Sequence, residues 1–261
     1  MTKINVLDKG FIELVDVLGS DLTVVNAARV SFGKRKTELD SSDEKLIKYL
    51  ASHEHLSPFR NCQVQFHCKV PEFVARQWYK HCIGTEYSIG SKDHGWNEIS
   101  GRYVDANEFE FNIPTEYRKQ SLSNKQCSTD ELVTGAVDCY GTSFMDLNGW
   151  SRDYNQDDEV IPYSVSPEDI VQNVTDMCME AYNLLVKHGV AKEQARMILP
   201  LNFYTEFYWT ASLQAVTNFI QLRDHEGSQY EIREYAKAMR KLVKEKFPIS
   251  LKYLLEGNNE N

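Results

Sequence analysis

No run of about 18 apolar residues occurs anywhere in the chain, so no membrane-spanning helix is expected. The opening segment MTKINVLDKG lacks the apolar core of a secretory signal. Positive charge is in deficit: 29 Lys and Arg stand against 38 Asp and Glu, a formal net charge of −9. A general nucleic-acid surface is therefore not expected. A phosphorylated ligand would have to be met by a local basic cluster, not by the field of the whole protein. The six cysteines (62, 68, 82, 127, 139 and 178) include no C-x-x-C pair and no dense framework, which fits reduced thiols in a cytoplasmic protein. No internal repeat is evident. What is present is 261 residues, 42% hydrophobic and 11% aromatic, enough for one large domain or two small ones.

Residues 3–18 read as extended, with apolar and β-branched faces. Asp21 is placed to cap a short helix through Arg29, and Ser41 with Glu44 forms a capping box for a helix carrying Leu46, Ile47 and Leu50. Pro58 disfavours helix at Ser57. From Gln63 to Val70 the pattern alternates, with Val64, Phe66, Cys68 and Val70 on one face of a half-buried strand. His53, His55, Cys62, His67 and Cys68 resemble a row of metal ligands, but adjacent strand residues point to opposite faces and the spacings fit no zinc pattern, so no metal site is expected. A further extended run, Glu108 to Ile113, stops at Pro114. Residues 119–165 are polar and read as an irregular insertion, a candidate lid, within a single domain spanning 1–261.

Ser166-Pro167-Glu168-Asp169 is a strong helix start. Ile170, Val174, Met177, Ala181 and Leu184 are its expected buried stripe and Gly189 its stop. A short helix from Lys192 breaks at Pro200, Asn202 to Ala211 reads as strand, and Leu213 to Arg223 returns to helical spacing. That helix has an apolar stripe (Leu213, Val216, Ile220) and a polar one (Gln214, Asn218, Gln221) that on pattern alone is a solvated face. The last predicted helix, roughly Gln229 to Phe247, turns Ile232, Tyr235, Met239, Leu242 and Phe247 inward, and the tail GNNEN reads as disordered.

The stretch from Pro71 to Tyr103 organises the rest. Pro71 suits a first helical position and nothing interrupts Phe73 to Cys82, which puts Arg76 and Lys80 on one helical face and Gln77 and His81 on the next. Asn97, Glu98, Ser100, Arg102 and Tyr103 follow within a short span. Cations, amides, a carboxylate and hydroxyls so close together are costly for a core and suited to gripping a polar anion. Arg196 and Arg223 are the other cations in apolar contexts. At a helix C-terminus Arg223 could equally be a dipole partner. His81 is available for acid/base work but reads better as a contacting ring that never titrates, and Cys82 as a packed or pocket-lining thiol rather than a nucleophile.

RQW-x-KHC followed by NE-x-S-x-RY resembles the signature of the flavin-dependent thymidylate synthases, whose pattern is Arg-His-Arg, a spacer, then Asn-Glu-x-Ser-x-Arg-Tyr. Asn97 to Tyr103 is intact, Lys80-His81-Cys82 departs, and the spacer Ile83 to Trp96 is long. The resemblance implies an α/β (α+β) fold, a twisted central sheet flanked by helices, and a homotetramer with active sites at subunit interfaces. It implies reductive methylation of dUMP to dTMP, with 5,10-methylenetetrahydrofolate as carbon donor and NADPH reducing FAD. Gln77, Lys80, Glu98, Ile99, Ser100, Gly101, Arg102, Arg196 and Arg223 fall at substrate positions, with Ser100, Arg102 and Arg223 nearest the chemistry. Ser31, His55, Ser57, Lys80, His81, Cys82, Ile83, Glu98, Ser212, Asn218 and Leu222 fall at cofactor positions. Ser212 and Gln214 stand where Asn and Arg are frequent, Arg60 where an acid is common, and Gly227 where a histidine often follows. The alternatives are a one-carbon transferase acting on another pyrimidine nucleotide, or a non-catalytic nucleotide- or flavin-binding protein.

Overall fold

A computed structural model describes residues 2–81, 95–139 and 163–256. In chain order the first elements are β1 (Lys3–Val6), β2 (Gly10–Leu18), α1 (Asp21–Arg29), α2 (Ser41–Ser52), α3 (Ser57–Arg60), β3 (Gln63–Pro71), α4 (Glu72–Trp78) and β4 (Trp96–Glu98). Then follow β5 (Arg118–Gln120), β6 (Ser128–Leu132), β7 (Val137–Cys139), β8 (Tyr163–Val165), α5 (Pro167–Lys187) and α6 (Lys192–Ala195). The last are β9 (Tyr204–Ser212), α7 (Leu213–Arg223), α8 (Tyr230–Lys244) and α9 (Pro248–Glu256). The chain divides into two compact units: Met1–Ile99 with Thr205–Asn261, and Ser100–Tyr204.

The first unit is built on a five-stranded sheet in the order β1-β2-β3-β9-β4. The β1–β2, β2–β3 and β4–β9 ladders are antiparallel, so this is a mixed helix-and-sheet fold whose strands come mostly from hairpins and returns. The predicted alternation of β3 holds: Val64, Phe66, Cys68 and Val70 are all buried. They share one face of the sheet with Ile12 and Leu14 of β2 and Phe207, Trp209 and Ala211 of β9, and join one core with α1, α2, α4, α7, α8 and α9. α8 shows why it folds there: Ile232, Tyr235, Met239 and Leu242 recur at helical spacing and all are buried.

Several expected helix starts are shifted. α1 is capped by Ser20, whose N–H donates to Thr23 Oγ1. Asp21 instead accepts from the N–H groups of Ile249 and Ser250, both at 2.9 Å, and so caps α9, a helix the sequence pattern did not signal. α2 is capped by Asp40, which accepts from Ser42 and Asp43, not by Ser41. Pro58 lies within α3, because a proline in a first turn displaces no hydrogen bond.

Pro71 ends β3 and is the N-cap of α4 rather than its first residue, and α4 stops at Trp78, short of Cys82. Lys80 and His81 lie in a turn beyond it, their N–H groups bonded to Gln77 and Trp78 carbonyls. Trp78 anchors the helix. Its ring stacks on Phe219 at 4.4 Å and meets Trp209 edge-on at 5.6 Å, fully buried.

In the second unit Ser166 caps α5 by accepting from Asp169, and Gly189, at φ +86°, closes its end as expected. The predicted stripe of α5 is only partly the buried one: Ile170, Val174, Met177 and Ala181 are half-buried. Thr175 and Tyr182 are buried, Met179, Leu185 and Val186 pack with Tyr182, and Leu184 is exposed. The expected 108–113 strand is reduced to a single bridge, Phe111 to Phe203, preceded by a 3-10 turn at Ala106–Glu108. The segment read as irregular holds two short antiparallel ladders, β5–β6 and β7–β8; residues 140–162 lie outside the described ones, as does the tail 257–261.

Candidate active site

In the first unit the signature residues hang from α4, the edge strand β4 and the end of α7. Arg76 and Lys80 are exposed on the chain, and Gln77 bonds the side chain of Gln229. Arg223, the last residue of α7, is half-buried, and its Nε donates to His81 Nε2 at 3.0 Å. The His81 ring lies edge-on to Phe219 at 4.9 Å. Burial and the adjacent guanidinium hold the imidazole down to about 4, so the ring is neutral, accepts at Nε2 and carries its proton on Nδ1. Burial lowers Arg223, and it remains a cation. The geometry thus agrees with a His81 that does not titrate near neutrality, and gives Arg223 a side-chain partner besides the helix dipole.

Glu98 stands on β4 opposite Phe207 in the register. Its Oε1 accepts from Tyr79 at 2.6 Å and from Thr205 at 2.5 Å. Ile99 donates its N–H to Glu206 O. Glu72, at the start of α4, is pushed up to about 7, first by burial and then by the charge of Glu98, with Arg76 opposing. Tyr79, Thr205, Glu72 and Gln229 were not singled out in the sequence. Tyr79 lies inside the RQW-x-K motif and could have been, whereas nothing local marks Thr205.

In the second unit Ser100 opens a tight turn. Its carbonyl accepts from the N–H groups of Tyr103 and Val104, at 2.9 and 3.0 Å, and its hydroxyl lies 3.4 Å from the Arg102 N–H. Arg102 is exposed, its guanidinium over the Tyr103 ring at 5.3 Å. A Cβ on Gly101 would come 3.5 Å from Cδ of Arg196, so the bare glycine backbone lies against the stem of a second exposed cation. Ser100, Gly101, Arg102 and Arg196 are therefore one neighbourhood, rich in N–H and guanidinium donors and suited to an anion.

The expected cofactor positions of the first unit lie on the turn after α1, at the start of α3 and along α7. Ser31 sits in the 3-10 turn after α1, between Val30 and Phe32, which are 70% and 78% exposed. His55 and Ser57 are exposed at the start of α3, just after Glu54, whose φ of +54° is rare for a residue with a side chain. α3 is tied to α7 by Arg60 Nε donating to Gln214 Oε1 at 2.5 Å, which turns the departures at both positions into a matched pair. Gln214 is buried and Gln221 donates to Leu254 O, so two of the three polar-stripe residues are internal partners rather than a solvated face. Asn218 is half-buried and Leu222 is 49% exposed. Ser212 is 1% exposed and its hydroxyl accepts from Ala215 N–H, so it is the cap of α7. Cys82 and Ile83 lie outside the described residues. Among these positions are exposed apolar groups (Val30, Phe32, Leu222) and hydroxyl, imidazole and amide donors, the kinds of group that a flat ring with a polar, phosphorylated tail would need.

Cys68 in β3 and Cys62 just before it are packed thiols. Cys68 is fully buried and its thiol is pushed well up by burial, while His67 lies on the opposite face, stacked on Tyr208 at 4.6 Å. Cys62 is likewise pushed up to about 12. Among the described residues no three His, Cys, Asp or Glu side chains group as metal ligands, and no helix is long and apolar enough to cross a membrane.

Comparison with known proteins places the chain among relatives along nearly its full length. The family model described as thymidylate synthase complementing protein matches residues 13–249. A flavin-dependent thymidylate synthase of Thermus thermophilus is 40% identical over 258 residues, covering 97% of this chain and 80% of the relative. The enzyme of that name from Thermotoga neapolitana is 36% identical over 263 residues, covering 98% and 97%. Among solved structures, the UMP/dUMP methylase PolB from Streptomyces cacaoi, bound with 5-Br dUMP, matches with a TM-score of 0.66 at 26% identity over 96% of each chain.

Proposed function

The chain belongs to the flavin-dependent thymidylate synthase family, and from that premise we infer that it methylates dUMP reductively to dTMP. The observation that carries the reading is identity of 35–40% to such enzymes along almost the whole chain, with Asn97 to Tyr103 intact. The carbon donor in this reading is 5,10-methylenetetrahydrofolate and the reductant NADPH. Ser100, Gly101, Arg102 and Arg196 take the nucleotide phosphate through backbone, hydroxyl and guanidinium donors. Gln77, Lys80, Glu98, Ile99 and Arg223 orient nucleotide and folate. Arg102 and Arg223 favour negative charge developing on the pyrimidine carbonyls.

FAD is held in this reading by Ser31, His55, Ser57, Asn218 and Leu222, with Lys80, His81, Cys82, Ile83 and Glu98 at its edge. Bound flavin supplies the electrons for the reduction. Neutral His81 fixes the Arg223 guanidinium and adds no second positive charge beside it. Ser212 belongs to the scaffold of this site through its capping role. The active assembly is a homotetramer with sites at subunit interfaces, acting in the cytoplasm on small molecules and without nucleic-acid or membrane partners.

The test is NADPH oxidation with added FAD and methylenetetrahydrofolate, run with and without dUMP, followed by product mass. Strict dependence on dUMP and a dTMP product support the reading; FAD binding with no nucleotide-dependent oxidation refutes it. The likeness to a UMP/dUMP methylase favours UMP as the second acceptor to examine, with dCMP and a hydroxymethyl product as further arms of the same assay.

A further inference from the structure

Glu98 is gripped by two hydroxyls from two different elements. Tyr79, just beyond the end of α4, and Thr205, on β9, both donate to the same oxygen, Oε1, at 2.6 and 2.5 Å. Among the described residues Oε2 accepts no hydrogen bond. The Tyr79 ring cannot wander: it meets Trp96 edge-on at 4.5 Å and Phe207 at 6.1 Å, while Trp96 stacks on Phe207 at 3.9 Å. These rings are pinned in turn to the buried Trp78 and Trp209. The tyrosine hydroxyl is thus delivered from a rigid aromatic stack, and the threonine hydroxyl from a strand hydrogen-bonded to the one bearing Glu98. An exposed glutamate on an edge strand would otherwise sample several rotamers and lose entropy on meeting a ligand.

We propose that Tyr79 and Thr205 are positioning residues that lock the Glu98 carboxylate through Oε1 and leave Oε2 to accept a hydrogen bond from the bound nucleotide. This rests on the reading that Glu98 places the nucleotide. An ionised carboxylate can only accept, so its ligand partner is a donor: a sugar hydroxyl or the imide N–H of the base. The charged surroundings agree. Among the described residues Glu72 and Arg76 on α4 are coupled to this cluster, and Glu72 is raised to about 7 first by burial and then by the Glu98 charge. Burial and the Glu98 carboxylate together keep the Tyr79 phenol protonated, so it stays a donor.

The experiment compares Tyr79→Phe, Thr205→Val, Glu98→Ala and the double variant Tyr79→Phe/Glu98→Ala, each as the FAD-loaded enzyme. Tyr79→Phe removes one oxygen and leaves the ring stack intact. It is expected to raise KM for dUMP by roughly 3- to 10-fold, less than the full cost of a hydrogen bond to a charged group because Tyr79 acts through Glu98, with kcat changed less. Thr205→Val is expected to do the same. In the Glu98→Ala background Tyr79→Phe should add no further loss. Melting temperature and bound flavin, measured on every variant, separate misfolding from mispositioning. If Glu98→Ala leaves KM for dUMP unchanged, the reading of Glu98 fails and this inference with it. If Glu98→Ala is impaired while folded Tyr79→Phe and Thr205→Val match the parent, or if the two losses simply add, the positioning role alone is overturned.

Discussion

At the scale of the residue, the account turns on charges placed where an acidic protein has few. Arg102→Ala and Arg196→Ala should each raise KM for dUMP by about 10-fold or more, since a guanidinium–phosphate contact is worth roughly 1.5–3 kcal/mol. Titrating dUMP at two salt concentrations checks the assignment: the affinity of the parent should fall with salt, and that of each variant should fall less.

His81 and Glu72 lead to opposite pH effects. The folded chain holds His81 near 4, below the ordinary imidazole value of about 6.5, so the unfolded chain binds the proton first as pH falls. Its contribution is present above about pH 6.5 and is lost toward pH 4. Glu72 runs the other way. Its folded value of about 7 exceeds the ordinary carboxylate value of about 4.3, so the folded chain holds the proton longer and stability declines as pH rises between those values. Glu72→Gln should therefore stabilise the protein by about 1–2 kcal/mol at about pH 8, after discounting for the partial exposure of this carboxyl, and by almost nothing at about pH 4. Urea midpoints of the two proteins at the two pH values read this directly. A gain that is equal at both would refute the assignment of Glu72 as a strained acid.

At the scale of the element, Asp21 ties the start of α1 to the start of α9, chain positions far apart in sequence. Asp21→Ala should cost about 1–2 kcal/mol and speed hydrogen exchange at the Ile249 and Ser250 amides while sparing α8. Trp78 carries more. Replacing it with Ala should cost about 3–5 kcal/mol, because a fully buried indole leaves a cavity under α4 that four aromatic neighbours cannot all refill.

Elements whose period is enforced by one clean apolar face were legible in the sequence: β3, α7 and α8 stand where alternation or helical spacing placed them. Elements decided by distant partners were not. α9 has its cap from Asp21, a residue that local reasoning assigned to α1. α5 is apolar around much of its surface, so periodicity could not choose between the stripe through Leu184 and the one through Tyr182. The site shows the same division. Arg223 and the Ser100 turn were readable from cations and a motif in sequence order. The Tyr79–Glu98–Thr205 grip was not, because Thr205 comes to Glu98 across a strand pairing that no local pattern reveals.

At the scale of the whole molecule, a net charge of −9 sets the background against which an anionic substrate must be drawn in. The proposed homotetramer predicts a sedimentation mass of four chains that holds on dilution through the assay range; a stable monomer with full activity would contradict sites shared between subunits.

The most direct measurement is the mass of the nucleotide recovered after the FAD-loaded protein has been incubated with dUMP, NADPH and methylenetetrahydrofolate. The account predicts dTMP, formed in step with NADPH consumed and absent when dUMP is left out. Recovery of unchanged dUMP from protein that binds both FAD and the nucleotide would contradict it.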